Sequence, residues 1–196
     1  VLDWSHDVKS KLKNRMVLNQ DLVYFRTKSG EVTALQNRCA HRCFPLHKST
    51  LHKNDTIQCG YHGLTYNVDG ECVQIPSAMN INPSFISIQK YIIAERNPMI
   101  WIWTGDPEKA DENLIPDYDW INNDQWGYGS GFYHVKGNYL AIHENLMDIT
   151  HFQYLHGAAL GTPKHAEAQI KVTVEGNTVN NYRFNEGEPV PELHKE

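Results

Sequence analysis

Over residues 1–115 the apolar positions fall in short runs broken by turn residues, the pattern of a β-rich domain. Residues 22–27 predict a strand, Lys28-Ser29-Gly30-Glu31 a turn, and residues 32–35 the returning strand. Residues 64–68 and 71–75 predict a hairpin around Asp69-Gly70, because Asp-Gly tolerates the positive φ of a tight turn. Residues 91–94 and 99–104 predict two further strands on either side of Asn97-Pro98. The stretch 106–119 holds Pro107, Pro116 and six acidic residues and predicts a surface linker. Beyond it, residues 131–135 predict a strand and 140–155 a helix. Residues 170–174 and 178–184 predict a hairpin around Glu175-Gly176-Asn177. The fold class is therefore α+β. A β-rich domain of small antiparallel sheets occupies 1–115, and 116–196 begins a second α+β domain with an antiparallel sheet and a helix.

Composition narrows the function. At 40% hydrophobic and 21% charged, the 196 residues read as an ordinary globular protein. The net charge of −5 supplies no basic field for nucleic acid or an anionic membrane. No apolar run approaches the roughly 18 residues a bilayer span requires. The N-terminus shows no secretory leader pattern, so a cytoplasmic location is expected. The chain opens at Val1 without Met and stops in a charged tail, as expected of a piece of a longer protein. Without a secretory leader, four cysteines point to a metal rather than a disulfide framework, and eleven histidines supply further ligands.

The first constellation is Cys39-Ala40-His41, then 17 residues, then Cys59-Gly60-Tyr61-His62. A Rieske [2Fe–2S] centre takes two thiolates on one iron and two imidazoles on the other. Two tight loops, each giving one Cys and one His, meet that need. Cys₂His₂ is also a legitimate zinc set, but zinc fingers usually pair like ligands, and here each loop mixes them. Cys43 and Cys72 are left over and read as buried small hydrophobes. Cys39-Ala40-His41-Arg42 with Cys59-Gly60-Tyr61-His62-Gly63 resembles the Rieske domain of ring-hydroxylating and demethylating oxygenases. Respiratory Rieske proteins carry an extra cysteine in each loop. This chain has Tyr61 beside His62, so the resemblance is to the oxygenase or ferredoxin type.

The second constellation is Asn145, Asp148, His151 and His156. The first three are spaced by three and would share one face of a regular helix. His156 lies five after His151, roughly 140° further round, so both can meet one metal only across a π-type bulge or a helix break. Two histidines and a carboxylate form the facial set of non-haem Fe(II) oxygenases. The stretch resembles the Asn-x-x-Asp-x-x-His-x-x-x-x-His motif of Rieske non-haem iron oxygenases, and its surroundings look most like the vanillate and dicamba demethylase branch.

That resemblance, from about Leu22 through His165, implies the remaining roles. It makes His151 and His156 ligands of a mononuclear Fe(II), Asp148 the electron bridge to a cluster histidine, and Asn145 a polar neighbour of the iron. The cluster histidine matches His62, supplied by the adjacent subunit of a ring-shaped homotrimer. The family's third ligand is an Asp further downstream, and none of Glu167, Glu175, Glu186, Glu188, Glu192 or Glu196 is assigned to it. Implied partners are a reductase or ferredoxin electron donor, O₂ and a small organic substrate, aromatic or heterocyclic. The implied activity is that of an oxygenase component, either a monooxygenase/demethylase or a ring hydroxylase. The competing readings are a Rieske electron carrier without a catalytic iron and a zinc-stabilised module.

Overall fold

The computed structural model describes residues 1–76, 80–125, 127–165 and 167–194. The chain divides into two compact units, Val1–Gly131 and Phe132–Glu196. In chain order the first contains β1 (Asp3–Trp4), β2 (Lys13–Val17), β3 (Gln20–Arg26), β4 (Val32–Gln36), β5 (Thr50–Leu51), β6 (Ile57–Gln58), β7 (Thr65–Tyr66), β8 (Cys72–Gln74), β9 (Ile92–Arg96) and β10 (Met99–Trp103). They form three antiparallel sheets, ordered β2-β3-β4, β5-β6-β7-β8 and β1-β10-β9. The second unit contains α1 (Tyr139–Met147) and a hairpin of β11 (Ile170–Glu175) and β12 (Thr178–Arg183).

The central strands are buried on both faces, and the sequence shows why. Along β3, Val23 and Phe25 join one apolar cluster while Leu22 and Tyr24 join another. Leu35 and Ala34 of β4 divide in the same way. A strand packed on both faces reads as a continuous apolar run, as Leu22-Val23-Tyr24-Phe25 does. The first cluster also takes in Cys39, Leu46, Ile57, Cys59, Leu64, Tyr66 and Cys72, so the roots of both cysteine loops belong to the core. The second takes in Leu2, Val8, Tyr91 and Ile100. On that side Asp3, 4% exposed, accepts hydrogen bonds from Tyr24 Oη (2.8 Å) and Lys13 Nζ.

The expected linker is a string of short turns. Asp106, Asp111 and Asp117 each accept a hydrogen bond from the backbone N–H two residues on, the local bonding that keeps such residues out of regular structure. Two expectations are overturned. Residues 131–135 form no strand, because their apolar side chains are exposed and no ladder partner pairs with them among the described residues. The single helix over 140–155 is instead α1 ending at Met147, a 3₁₀ turn Ile149–His151 and a π turn Phe152–His156. No described helix is long and apolar enough to cross a membrane.

Candidate metal centres

The two cysteine loops of the first unit close in the same way. Cys39 N–H donates to Phe44 O (2.9 Å) and Cys43 N–H to Cys39 O (2.9 Å). In the second loop Cys59 N–H donates to Leu64 O (2.8 Å) and Gly63 N–H to Cys59 O (3.0 Å). The residue four after each cysteine is left-handed, Cys43 at φ 56° and Gly63 at φ 75°. This places Cys43 as a turn residue, and it is exposed, contrary to the expectation of a buried hydrophobe. Cys72 is buried as expected.

The equivalent loops bring like atoms together. Cys39 and Cys59 are buried, at 1% and 3% exposure, and their thiols lie within hydrogen-bonding reach of each other. His41 and His62 are exposed, with ring centroids 4.6 Å apart at 63°. Thiols thus pair inside and imidazoles pair outside. Zinc would take all four residues on one ion, whereas a Rieske centre takes the thiols and the imidazoles as two pairs. The two-and-two division fits two irons bridged by sulfides.

Donors already point at the sulfurs. The Tyr66 hydroxyl lies 3.2 Å from Cys39 Sγ and accepts from Ala40 N–H at 3.1 Å, so its own proton is free to face the sulfur. Burial pushes the Cys59 thiol above its ordinary pKa, although the backbone N–H groups of Tyr61 and His62 hydrogen-bond its sulfur and pull the other way. Such a thiol ionises readily only beside a cation. Hydrogen bonds to ligand sulfur stabilise the more negative, reduced state. Tyr66→Phe is therefore expected to lower the cluster potential by tens of mV, roughly a fraction of one charged hydrogen bond. Redox titration of the g-values seen by EPR checks this, and an unchanged midpoint would refute it.

The loops also meet through aromatic rings. Phe44 and Tyr61 have ring centroids 6.2 Å apart, and a Cβ added at Gly60 would come 3.2 Å from Phe44 Cε1. Tyr61 in turn lies against His62, at 3.8 Å. In the sequence Tyr61 stands only where respiratory Rieske proteins carry a cysteine, and its contact with Phe44 of the facing loop emerges from the fold.

In the second unit α1 stops because Asp148 leaves helical geometry, at φ −99° and ψ 93°. Its Oδ1 accepts from Thr150 N–H (2.9 Å) and Thr150 Oγ1 (2.6 Å), the competing local bonds that make Asp a cap. Asn145, Asp148 and His151 therefore do not share one continuous helical face, as their spacing had predicted. Asn145 is exposed on α1. The hydrogen bonds from Thr150, with the nearby charges of Arg183 and His151, hold the Asp148 carboxyl below its ordinary pKa.

The predicted distortion lies between the histidines. A π turn closes from residue i to i+5, so residues five apart stack one above the other. Across Phe152–His156 this brings the His151 and His156 rings to 5.3 Å. His151 Nδ1 faces the Asp148 carbonyl at 2.8 Å. A carbonyl only accepts, so Nδ1 carries the proton and Nε2 is left as the ligand atom. Phe152 sets its edge or face against both rings, at 5.0 Å from His151 and 5.6 Å from His156, and stacks on His165 at 5.7 Å. The Asn181 amide of β12 donates to Met147 O (2.8 Å), fastening the end of α1 to the hairpin.

Gly161 is a positioning residue that no local pattern marks. A Cβ there would lie 2.6 Å from Gln153 Cα and 2.7 Å from Gln153 N, atoms of the π turn itself. Gly161→Ala is expected to force that backbone aside at a cost of about 1–3 kcal/mol. The measurement is iron stoichiometry at the mononuclear site with cluster content as internal control. Full iron occupancy with an unshifted melting temperature would refute it.

The fold and loop geometry of the first unit are those of a Rieske iron–sulfur protein. Residues 1–91 match the family model of the Rieske [2Fe–2S] domain, and residues 135–196 match that of the vanillate O-demethylase oxygenase C-terminal domain. The chain is 38% identical, over 91% of its length and 50% of the relative's, to the iron–sulfur subunit of the toluene-4-sulfonate monooxygenase system of Comamonas testosteroni. A crystal structure of dicamba monooxygenase bound to dicamba superposes with a TM-score of 0.86 and 32% identity, over 92% of this chain and 54% of that one. A second, with non-haem iron and dicamba, gives 0.76 and 31%, over 90% and 49%. The chain belongs to the terminal oxygenase components of the Rieske non-haem iron oxygenases, in the vanillate and dicamba O-demethylase branch. It spans about half the length of the relatives it matches. The cofactors of such components are a [2Fe–2S] cluster and a mononuclear iron.

Proposed function

We propose that this chain forms part of a Rieske monooxygenase or demethylase that oxidises a small aromatic or heterocyclic substrate in the cytoplasm. Residues 1–115 serve as the Rieske domain and 116–196 as the start of the catalytic domain. Cys39, His41, Cys59 and His62 hold the cluster, and His151 and His156 hold the mononuclear iron. The carrying observation is that one chain pairs buried thiols and exposed imidazoles, and then pairs two further imidazoles across a π turn. When bound, the two iron groups supply one-electron transfer and the activation of O₂ for insertion of an oxygen atom into a substrate C–H bond.

The chain's own residues prepare those groups. Tyr66 and the backbone N–H groups of Tyr61 and His62 bias the sulfur side toward the reduced charge. The Asp148 carbonyl fixes the His151 tautomer. The Asp148 carboxylate, kept ionised by Thr150, serves as acceptor for the outward imidazole N–H of His62 from a neighbouring copy in a homotrimer. Asn145 is a polar neighbour of the iron. The donor is a reductase or ferredoxin, and neither nucleic acid nor membrane is a partner.

One preparation tests the reading. The native protein should be red-brown, show a Rieske-type EPR signal, contain a third iron per chain, and consume O₂ when given reductant and an aromatic acid. Cluster signal without a third iron would leave the alternative, a Rieske electron carrier without a catalytic iron. A colourless zinc protein would overturn both.

A further inference from the structure

The two cysteine loops close alike, but their bases differ. At the second, Ile57 and Gln58 of β6 pair with Tyr66 and Thr65 of β7, so a backbone ladder ties the chain entering the loop to the chain leaving it. The first loop has no such ladder, because β4 pairs with β3 and β5 with β6. One side chain takes its place. Asn37 follows β4, and its N–H donates to Asp21 O (2.9 Å), one bond beyond the Leu22–Gln36 pair of the β3–β4 ladder. Asn37 is 2% exposed, and its amide reaches across the loop to His47, in the 3₁₀ turn Leu46–Lys48. Leu46 of that turn belongs to the same core cluster as Cys39.

The partners of the amide fix its orientation. Oδ1 accepts from His47 N–H (2.7 Å), and a backbone N–H only donates. Nδ2 faces the Asp21 carboxylate at 3.0 and 3.1 Å, and an ionised carboxylate only accepts. The remaining contact, from Nδ2 to His47 Nδ1 at 2.7 Å, is then a donation to the ring. His47 Nδ1 therefore carries no proton, and Nε2 does. A second proton on this ring would set N–H against N–H beside a buried amide. The titratable groups along the adjoining groove are Asp21 of β3, Arg38 and Cys43, with Lys48 next in the chain and Tyr91 near enough to feel the Asp21 charge. Among the described residues no carboxylate pairs with His47, so none offsets that proton.

We propose that Asn37 is a positioning residue that clasps the base of the first cluster loop, and that it holds only the neutral form of His47, so that acid frees the Cys39 and His41 loop while the ladder keeps the second loop closed. The proposal rests on the reading of Cys39, His41, Cys59 and His62 as cluster ligands, and its test separates the two.

The measurement is the rate of iron release from the oxidised protein into excess EDTA, followed by visible absorbance between about pH 8 and about pH 5.5, across the range in which imidazoles ordinarily titrate. Each variant is read as a ratio to the native protein at the same pH, which cancels the protonation of the ligand histidines common to both. Asn37→Asp keeps an acceptor for His47 N–H but turns a second oxygen to the unprotonated ring nitrogen and a like charge to Asp21. At about pH 8 it should release iron roughly tenfold faster than native. In acid the protonated ring donates to that oxygen, and the ratio should fall below one. His47→Ala keeps the backbone bond to Asn37 Oδ1 and removes the ring. Its ratio should start near one and fall several-fold in acid, because the acid-sensitive contact is gone. The EPR g-values of both variants should match the native ones at about pH 8. A ratio that stays level or rises as the pH falls, in either variant, would overturn the clasp. His47→Ala alone decides if Asn37→Asp loads no cluster. Absence of any Rieske signal in the native protein would instead remove the ligand reading on which the proposal stands.

Discussion

Cys39→Ser is expected to give a colourless protein with no Rieske EPR signal. Cys39 is 1% exposed, packs among Val23, Phe25 and Leu35, and shares its hydrogen-bonding neighbourhood with Cys59 and Tyr66. A serine hydroxyl is a poor ligand for iron that thiolate otherwise holds, and losing one of two thiolates removes the anchor of that iron. The loss should extend to stability, since a metal site built from core residues contributes to folding when filled. The control is Cys43→Gly. Cys43 holds the left-handed turn position that Gly63 holds in the other loop, and glycine adopts that conformation without strain. Cys43→Gly should keep its colour, its EPR signal and its iron content. Equal loss in both variants would mean that the first loop is merely fragile. Retained cluster in Cys39→Ser would refute the ligand assignment.

The second large effect is expected at Asp148. Asp148→Asn should bind both iron groups yet fail to pass electrons between them, with turnover reduced by roughly the 10²–10⁴-fold typical of a lost proton-accepting or positioning group. The carboxylate accepts two bonds from Thr150 and is held ionised, and an ionised carboxylate can accept from imidazole N–H groups in turn. An amide keeps the size and the cap but presents one acceptor oxygen and no charge. Single-turnover mixing of the reduced protein with O₂ and substrate separates the steps. The cluster should stay reduced in the variant while the iron count is unchanged. Normal turnover, or loss of the iron, would refute the bridging role.

The candidate ligands stand out in the sequence because metal chemistry restricts residue type and spacing more tightly than packing does. Cys39-x-His41 and Cys59-x-x-His62 name their atoms, and Asp69-Gly70 names its turn. The distortion between His151 and His156 was legible for the same reason, since five residues do not fit one face of a regular helix. What stayed hidden depends on contacts between distant residues. β2 (Lys13–Val17) escaped notice because an edge strand of Lys, Asn and Arg has little apolar periodicity, and its pairing with β3 decides its form. Residues 131–135 have the composition of a strand but no ladder to join. The break at Asp148 turned on a contest between a helical bond and a side-chain cap, which composition alone does not weigh. Gly161 and Phe152 matter through the backbone and rings they approach, and nothing local marks them.

The two-faced packing of β3 and β4 has a consequence for how the first unit comes apart. Leu22 and Tyr24 point to the amino-terminal side, where Leu2 and Val8 cover them, while Val23 and Phe25 point to the cysteine loops. One sheet thus serves as a wall shared by two rooms. Loosening residues 1–8 strips one side of that wall and leaves its strands free to shift, so the loops on the other side lose their footing. Bleaching of the cluster and release of the amino-terminal strap should then follow a single melting curve.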